Sequence, residues 1–172
     1  MLINLYNERN KMAKNSKIPW FLPAANKLVL TLLRIGVKLN GPGKSPMYLF
    51  TVRGRKSGQL RTTPVAILEQ NGNRYLMTPY GVVDWVRNVR AAGEATFTRG
   101  RRAEQIRPIE LPVSDAVPVL KSFVESGNPI ARFFSINAGA SLEDFEQLAN
   151  THPVFLLRSA TSPATAGQAQ SA

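Results

Sequence analysis

One eight-residue segment combines flexible backbone with cationic and hydroxyl side chains: Gly54, Arg55, Lys56, Ser57, Gly58, Gln59, Leu60 and Arg61. Its two glycines allow a tight turn that exposes backbone N–H groups. Its cations can donate charge-assisted hydrogen bonds to a phosphate, and Ser57 adds a hydroxyl donor. Arg61 lies on the outgoing strand and can return its guanidinium to the same anion. The segment predicts a phosphate-binding turn, although the same composition also suits an exposed hairpin turn without a ligand.

A second segment, residues 79–93, joins the end of a predicted strand to a predicted helix. Tyr80 and Gly81 form the connection, and Trp85 lies in the first helical turn. A helix N-terminus offers free N–H groups and the positive end of the helix dipole to an anion or a polarised ring carbonyl. Trp85 either caps the core or forms one wall of a site for a planar ligand.

Several kinds of catalytic centre are excluded by composition. The 172-residue chain has no cysteine and one histidine, His152, so thiol catalysis, cysteine zinc sites and multi-histidine metal centres are ruled out. We predict no metal site. His152 precedes Pro153 at the start of a predicted strand, and we interpret it as a structural residue. The chemistry is therefore expected to come from a bound cofactor.

The charge of the chain is strongly positive and unevenly distributed. Twenty-two Lys and Arg against 11 Asp and Glu give +11. Residues 1–40 contain seven basic and one acidic side chain, and residues 41–110 contain twelve basic and five acidic ones. Residues 111–172 contain three basic and five acidic side chains. The first two thirds of the chain are thus expected to carry an anion-binding surface.

The N-terminal region combines basic and apolar residues. We predict a mobile basic segment over residues 1–17, followed by a helix over residues 23–39. Three basic residues make the apolar run too charged to span a bilayer: Lys27, Arg34 and Lys38. The helix either packs on the core or touches an anionic membrane surface. We favour packing because four apolar residues recur at helical spacing: Leu28, Leu32, Ile35 and Leu39.

The middle of the chain alternates short β-branched and aromatic runs with turn residues, as a strand-rich body does. Strands are predicted over residues 47–53, 60–70, 74–78, 94–98, 101–109 and 152–158, of which the first three should form a meander. Helices are predicted over residues 84–92, 114–125 and 141–148.

Turn and capping residues set several of these boundaries. Asn71-Gly72 is a hairpin signal, and Gly93 suits a left-handed helix C-cap. Ser114 is the predicted N-cap of the second of these helices, and Ser141 with Asp144 forms a predicted capping box for the third. The elements predict one mainly β, α+β domain over residues 18–158, a small antiparallel barrel with added helices. A disordered tail is predicted over residues 159–172.

Together, the two glycine-containing segments resemble the deazaflavin-dependent nitroreductase family, split-β-barrel oxidoreductases that use coenzyme F420. The family's first motif is matched by Gly54, Arg55, Lys56, Ser57, Gly58, Arg61 and Pro64. Its Trp-x-x-Asn-Leu-x-Ala segment is matched by Trp85, Asn88, Val89 and Ala91. The resemblance covers residues 45–107 and implies a fold similar to flavin reductases and pyridoxamine oxidases.

The resemblance also implies roles for individual residues. The cofactor's phosphate and acidic tail would be held by Arg55, Lys56, Ser57, Gly58 and Arg61. The deazaflavin ring would lie against Thr63 and Pro64 and be contacted by Tyr80, Gly81 and Trp85. Tyr80-Gly81 stands where members commonly have a Ser-Lys loop. The C-terminal tyrosines of well-studied nitroreductases are missing, since residues 128–137 offer Phe133 and Phe134 instead.

The function implied by the resemblance is hydride transfer from reduced F420 to an activated double bond or a quinone-like acceptor. Solvent or Tyr80 would supply the proton. The alternatives are an FMN-dependent enzyme on the same barrel, or a non-catalytic deazaflavin- or lipid-binding protein. A nucleic-acid-binding module is less favoured because the strands carry few aromatic residues. We expect a cytoplasmic protein, with peripheral contact between residues 18–39 and an anionic membrane as an open alternative, and leave its oligomeric state open.

Overall fold

The computed structural model of the protein describes residues 22–160, apart from the side chains of residues 22, 23 and 42. The predicted mobile segment 1–17 and residues 161–172 of the predicted tail lie outside this range. The helices are α1 (Leu22–Arg34), α2 (Asp84–Ala92), α3 (Val113–Glu125) and α4 (Leu142–Thr151), with short 3-10 helices at Pro42–Lys44 and Pro129–Phe134. The strands are β1 (Met47–Arg53), β2 (Leu60–Ala66), β3 (Leu68–Gln70), β4 (Asn73–Met77), β5 (Ala95–Arg99), β6 (Arg102–Glu110) and β7 (Val154–Ser159). None of the helices in residues 22–160 is long and apolar enough to cross a membrane.

All seven strands belong to one antiparallel sheet in the order β2-β1-β5-β6-β7-β4-β3. Its two edge strands, β2 and β3, are separated in the chain by Ile67 alone, so the sheet must curve until its edges approach each other. The predicted α+β class with a barrel-like antiparallel sheet is confirmed.

The predicted single strand over residues 60–70 and the three-stranded meander are wrong in detail. The strand is interrupted at Ile67. The Ile67 N–H still donates to the carbonyl of Pro46, one step beyond the Met47–Ala66 pair, and the residues that follow pair with β4 instead of β1. The first part of the strand pairs with β1 and its second part with β4, while β4 pairs with β7 on its other side. Buried Ile67 is the corner at which the chain passes from one side of the curved sheet to the other.

One of two buried clusters is an aromatic core built mainly on the strands. Its buried members include Phe50, Val52, Val65, Phe97 and Phe155. Helix α2 lays Val86 and Val89 on this cluster, which leaves its polar face to solvent. The burial of these apolar side chains fixes α2 against the sheet.

A second buried cluster joins α3, α4 and the 3-10 helix at Pro129–Phe134. The capping box of Ser141 and Asp144 is confirmed, with each side chain accepting from the other's backbone N–H. The predicted N-cap at Ser114 is wrong. Helix α3 begins at Val113 after Pro112, and the Ser114 hydroxyl donates to Asp115 instead.

Two turn predictions are confirmed by the backbone. Asn71 and Gly72 both have positive φ and close the hairpin between β3 and β4. Gly93 is left-handed, and its N–H donates to the carbonyl of Val89 at the end of α2. At the C-terminus, β7 runs to Ser159 and the N–H of Ala160 donates to Gln105, so the predicted tail does not begin at residue 159.

Helix α1 is shorter than predicted. It ends at Arg34 because Gly36 adopts a positive φ of +91°. The N–H of Gly36 donates to the carbonyl of Leu33, and the N–H of Val37 donates to the carbonyl of Leu32. Leu33 is buried, but Leu28 and Ile35 are 63% and 72% exposed. The predicted packing stripe is therefore wrong at these two positions, which form an outward apolar face.

His152 lies at the C-cap of α4 and not, as predicted, at the start of the last strand. Its Nδ1 is 2.8 Å from the Thr151 hydroxyl, and its ring packs 5.5 Å from that of Phe134. Burial lowers the pKa of His152, and this effect outweighs the hydrogen bonds to the carbonyls of Leu148 and Pro79, which act to raise it. The neutral imidazole is thus the form that the fold accommodates, in keeping with a structural role.

We expect the free energy of unfolding to fall as the pH is lowered from 7 toward 5, partly through His152. A histidine whose folded pKa is lowered stabilises the fold above its unfolded value, about 6.5, and this contribution is lost as the pH falls toward the folded pKa. Urea unfolding at several pH values should show a smaller decline in His152→Gln. The lowered carboxyl pKa values of Glu104 and Asp144 act at lower pH. An unchanged slope between pH 7 and 5 in the variant would contradict the assignment.

Candidate functional site

The predicted phosphate-binding turn connects β1 to β2 and is closed by its own backbone. The N–H of Gly54 donates to the carbonyl of Gln59, and that of Gly58 to Gly54, both at 2.8 Å. Gly54 is buried, and a Cβ at this position would lie 3.1 Å from the Gln59 carbonyl oxygen. Gly58 has φ +69°, a conformation that favours glycine. The tight geometry of the turn therefore depends on its two glycines, Gly54 and Gly58.

Arg55 ties this turn to helix α2. Its backbone N–H and its Nη1 donate to Asn88 Oδ1, at 3.2 and 2.9 Å. Both Nη atoms also lie 3.3 Å from Asp84 Oδ1. Asn88 is 7% exposed, so its amide oxygen needs these donors. The Arg55 guanidinium is thus already occupied by protein groups.

Lys56 and Arg61 differ from Arg55 because their side chains are exposed and have no ion-pair or hydrogen-bond partner within residues 22–160. Both line a cleft of about 640 Å³ between the turn and α2. The cleft is lined by Val52, Gly54, Arg55, Lys56, Ser57, Arg61, Thr62, Thr63, Val83, Asp84, Trp85 and Asn88. Unpartnered cations beside a hydroxyl and a tight turn are the donors that an anionic ligand requires.

A second cavity of about 490 Å³ adjoins the cleft and is mainly apolar. We call it the groove. The two cavities share Thr63, Val83 and Trp85. The other residues lining the groove are Asn26, Gly41, Ser45, Met47, Pro64, Val65, Ala66, Ile67, Leu68, Met77, Thr78, Pro79, Tyr80, Phe123, Asn128, Ile130 and Phe134. A ligand with an anionic end and an apolar planar end can therefore occupy one continuous site.

Trp85 packs on the aromatic core and also lines both cavities. Its ring packs edge-on against Phe50 at 5.5 Å and against Phe155 at 5.8 Å, both in the aromatic core. It also lines the cleft and the groove at their junction. The junction thus has a wall that is fixed by the core.

Tyr80 lines the groove from the loop between β4 and α2. Its N–H donates to Thr78 Oγ1 at 3.2 Å, and its ring lies 6.2 Å from that of Phe133. Burial raises the pKa of the Tyr80 hydroxyl, so this group is protonated at neutral pH.

Eight of the ten predicted cofactor-binding residues line one or both cavities: Arg55, Lys56, Ser57, Arg61, Thr63, Pro64, Tyr80 and Trp85. Gly58 and Gly81 line neither. Gly81 is buried behind the groove, where a Cβ would lie 3.2 Å from the Thr151 carbonyl oxygen, so it serves packing and a positive φ. Within residues 22–160, no cluster of three metal-ligating side chains occurs.

Sequence reasoning missed several residues of the site. Asn88 belonged to the matched motif, and its fixed spacing from Trp85 was the signal that could have placed it in the cleft. Asp84 opens helix α2, but nothing in the sequence showed that it would reach Arg55. The groove walls Phe123, Ile130 and Phe134 come from segments distant in the chain, which local patterns cannot assign.

Comparison with solved structures gives several distant similarities. A structure described as an F420-H2 dependent reductase (FDR-A) is 23% identical, covers 70% of this chain and 97% of its own, and has a TM-score of 0.48. One described as a domain-swapped dimer is 22% identical, covers 77% of this chain and 95% of its own, and has a TM-score of 0.49. None of the curated proteins matches the chain.

The family assignment comes from the sequence over residues 29–125, which match the model of the family described as F420H(2)-dependent quinone reductase. This stretch runs from helix α1 to the end of α3 and contains the turn, all twelve residues that line the cleft and most of those that line the groove. With more than half of its length matched, the chain belongs to the F420H(2)-dependent quinone reductase family and is an oxidoreductase that uses coenzyme F420.

Proposed function

We propose that the cationic cleft binds the phosphate and acidic tail of F420, and that the groove holds its deazaflavin ring together with a quinone-like acceptor. The observation that supports this assignment most directly is the junction of the cleft and the groove at Thr63, Val83 and Trp85. The cofactor has an anionic end and a planar ring, and the site has a cationic part and an apolar part in direct continuity.

At the anionic end, Lys56, Arg61 and Ser57 are the proposed ligands. Lys56 and Arg61 supply two cations without protein partners in the described chain, and Ser57 supplies a hydroxyl. Arg55 supports them indirectly, because its bonds to Asn88 and Asp84 hold the turn against α2.

At the apolar end, Thr63, Pro64, Tyr80 and Trp85 are the proposed ring contacts. When bound in its reduced form, F420 supplies a hydride to the acceptor. The protein's part is to orient both partners and to exclude water, which the apolar walls of the groove accomplish. Phe123, Ile130 and Phe134 line the rest of the groove and suit an apolar acceptor.

Tyr80 is the proposed proton donor. Its side chain lines the groove, and its raised pKa keeps the hydroxyl protonated throughout the neutral range. Hydride and proton together reduce a quinone to a hydroquinone, so a donor beside the acceptor completes the reaction.

Helix α1 suggests where an apolar acceptor enters. Leu28 on α1 and Ile35, one residue past its end, are exposed and seven residues apart, and exposed Lys27 and Arg34 flank them. Asn26 of the same helix lines the groove. We propose that this face rests on an anionic membrane surface, next to the groove.

The first test of the proposed function is cofactor affinity. We expect Lys56→Ala/Arg61→Ala to weaken F420 binding at least about tenfold, because each charge-assisted bond to an anion contributes roughly 1.5–3 kcal/mol. Fluorescence titration measures the Kd, with FMN titrated in parallel and expected to bind more weakly. Arg101→Ala/Arg102→Ala makes the same charge change on exposed residues outside both cavities and should leave the Kd nearly unchanged. Equal effects of the two pairs would remove the assignment.

The second test concerns the proton. We expect Tyr80→Phe to lower kcat with a quinone acceptor at least about tenfold while leaving the F420 Kd within about twofold. The raised pKa predicts that wild-type kcat shows no loss from Tyr80 ionisation between pH 6 and 9. Tyr48→Phe removes the hydroxyl of a tyrosine that packs on Phe97 outside both cavities, and serves as the control. Full kcat in Tyr80→Phe would assign the proton to solvent.

The third test concerns the membrane. We expect the protein to co-sediment with phosphatidylglycerol vesicles and much less with phosphatidylcholine vesicles, and Leu28→Glu/Ile35→Glu to abolish this binding. Ile109→Glu/Leu142→Glu is the matched control, because it also adds two carboxylates at exposed apolar positions, on β6 and α4. Binding that survives in Leu28→Glu/Ile35→Glu, or is lost equally in the control, would show that this face of α1 does not bind lipid.

A further inference from the structure

Asp84 is an acidic residue on the wall of an otherwise cationic cleft. Of the described residues that line the cleft, it alone carries a negative charge, beside Arg55, Lys56 and Arg61. Its side chain is 81% exposed. A carboxylate in this place opposes the approach of an anion.

The partners of Asp84 show what the carboxylate does. Both Nη atoms of Arg55 lie 3.3 Å from Asp84 Oδ1, and Arg87 Nη1 lies 3.6 Å from the same oxygen. Asn88 Oδ1 accepts a second bond from Arg55 Nη1. Arg55 therefore points its donors at helix α2 and is ion-paired there.

We propose that Asp84 lowers the affinity of the cleft for the anionic end of the cofactor. It does so by holding Arg55 on α2 and by placing its own negative charge in the cleft. The inference rests on the proposed function, because it requires Lys56 and Arg61 as the ligands of the anion. The cleft thus has three cations on its walls, but two of them are available to a ligand.

The two contributions of Asp84 have different signatures. Direct repulsion depends only on the carboxylate, and it is screened by salt because Asp84 is exposed. The restraint of Arg55 requires the arginine, so it disappears when Arg55 is removed. A double-mutant cycle between positions 55 and 84 separates the two.

The decisive measurement is the F420 Kd of Asp84→Asn, obtained by fluorescence titration of the full chain. We expect binding about fivefold tighter than wild type at roughly 0.05 M salt, consistent with the modest strength of exposed charge pairs. The gain should shrink at about 1 M salt, where the Debye length is about 3 Å. Asp84→Glu keeps the charge and should bind as wild type does. Arg87→Gln removes the other neighbour of the carboxylate and should give no gain.

In the Arg55→Ala background, Asp84→Asn should give a smaller gain than in the wild-type background, because no arginine is left to release. An equal gain in both backgrounds would overturn the restraint of Arg55. Unchanged or weaker F420 binding in Asp84→Asn would overturn the proposal as a whole. If Asp84→Asn fails to fold, as judged from its melting temperature, Asp84→Ser provides the same test with a residue that helix N-termini tolerate.

The Lys56→Ala/Arg61→Ala variant distinguishes a failure of the proposed function from a failure of the role of Asp84. If that variant leaves the Kd unchanged, the proposed function fails at the anion site. If that variant weakens binding and Asp84→Asn does not strengthen it, the role of Asp84 alone fails.

Discussion

The bond between Arg55 and Asn88 is the contact on which the arrangement of the site depends. Asn88 lies on the buried side of α2, and its amide oxygen is satisfied by two donors from the β1–β2 turn. A buried amide oxygen without partners costs roughly 1–3 kcal/mol, so turn and helix hold each other in place. The cleft exists because these two elements are tied at this point and diverge beyond it.

The corner at Ile67 is the corresponding constraint for the groove. Because β2 and β3 are consecutive in the chain but lie at opposite edges of the sheet, the chain must change direction between them. Pro64, Val65 and Ala66 come from one side of this corner and Leu68 from the other, and all four line the groove. The break in the strand thus creates the concavity that a continuous meander would lack.

The structural features that were predicted correctly depend on interactions between residues a few positions apart in the chain. The Asn71-Gly72 turn, the Gly93 cap and the Ser141–Asp144 box each need only neighbouring backbone, so their residue types are sufficient signals. The glycine-containing turn and the Trp85 segment both line the cleft. Their motifs lie on a turn and a helix that form from local sequence, so motif spacing was enough to place these residues.

The features that sequence did not predict depend on contacts between distant segments. The interruption at Ile67 is the point where the chain leaves its pairing with β1 and begins to pair with β4. The occupied state of Arg55 depends on α2, about thirty residues later. The cationic composition of the turn suggested three equivalent ligands, and only the tertiary contact distinguishes Arg55 from Lys56 and Arg61.

The two walls of the groove differ in what holds them. Trp85 is packed on Phe50 and Phe155, so its side of the groove cannot move without disturbing the aromatic core. The opposite rim includes Gly41, Ser45 and Asn128, which flank the two short 3-10 helices. These helices pack closely, since a Cβ at Gly43 would overlap the side chain of Asn128. The rim formed by the 3-10 helices is thus packed apart from the aromatic core, whereas the wall formed by Trp85 is part of it.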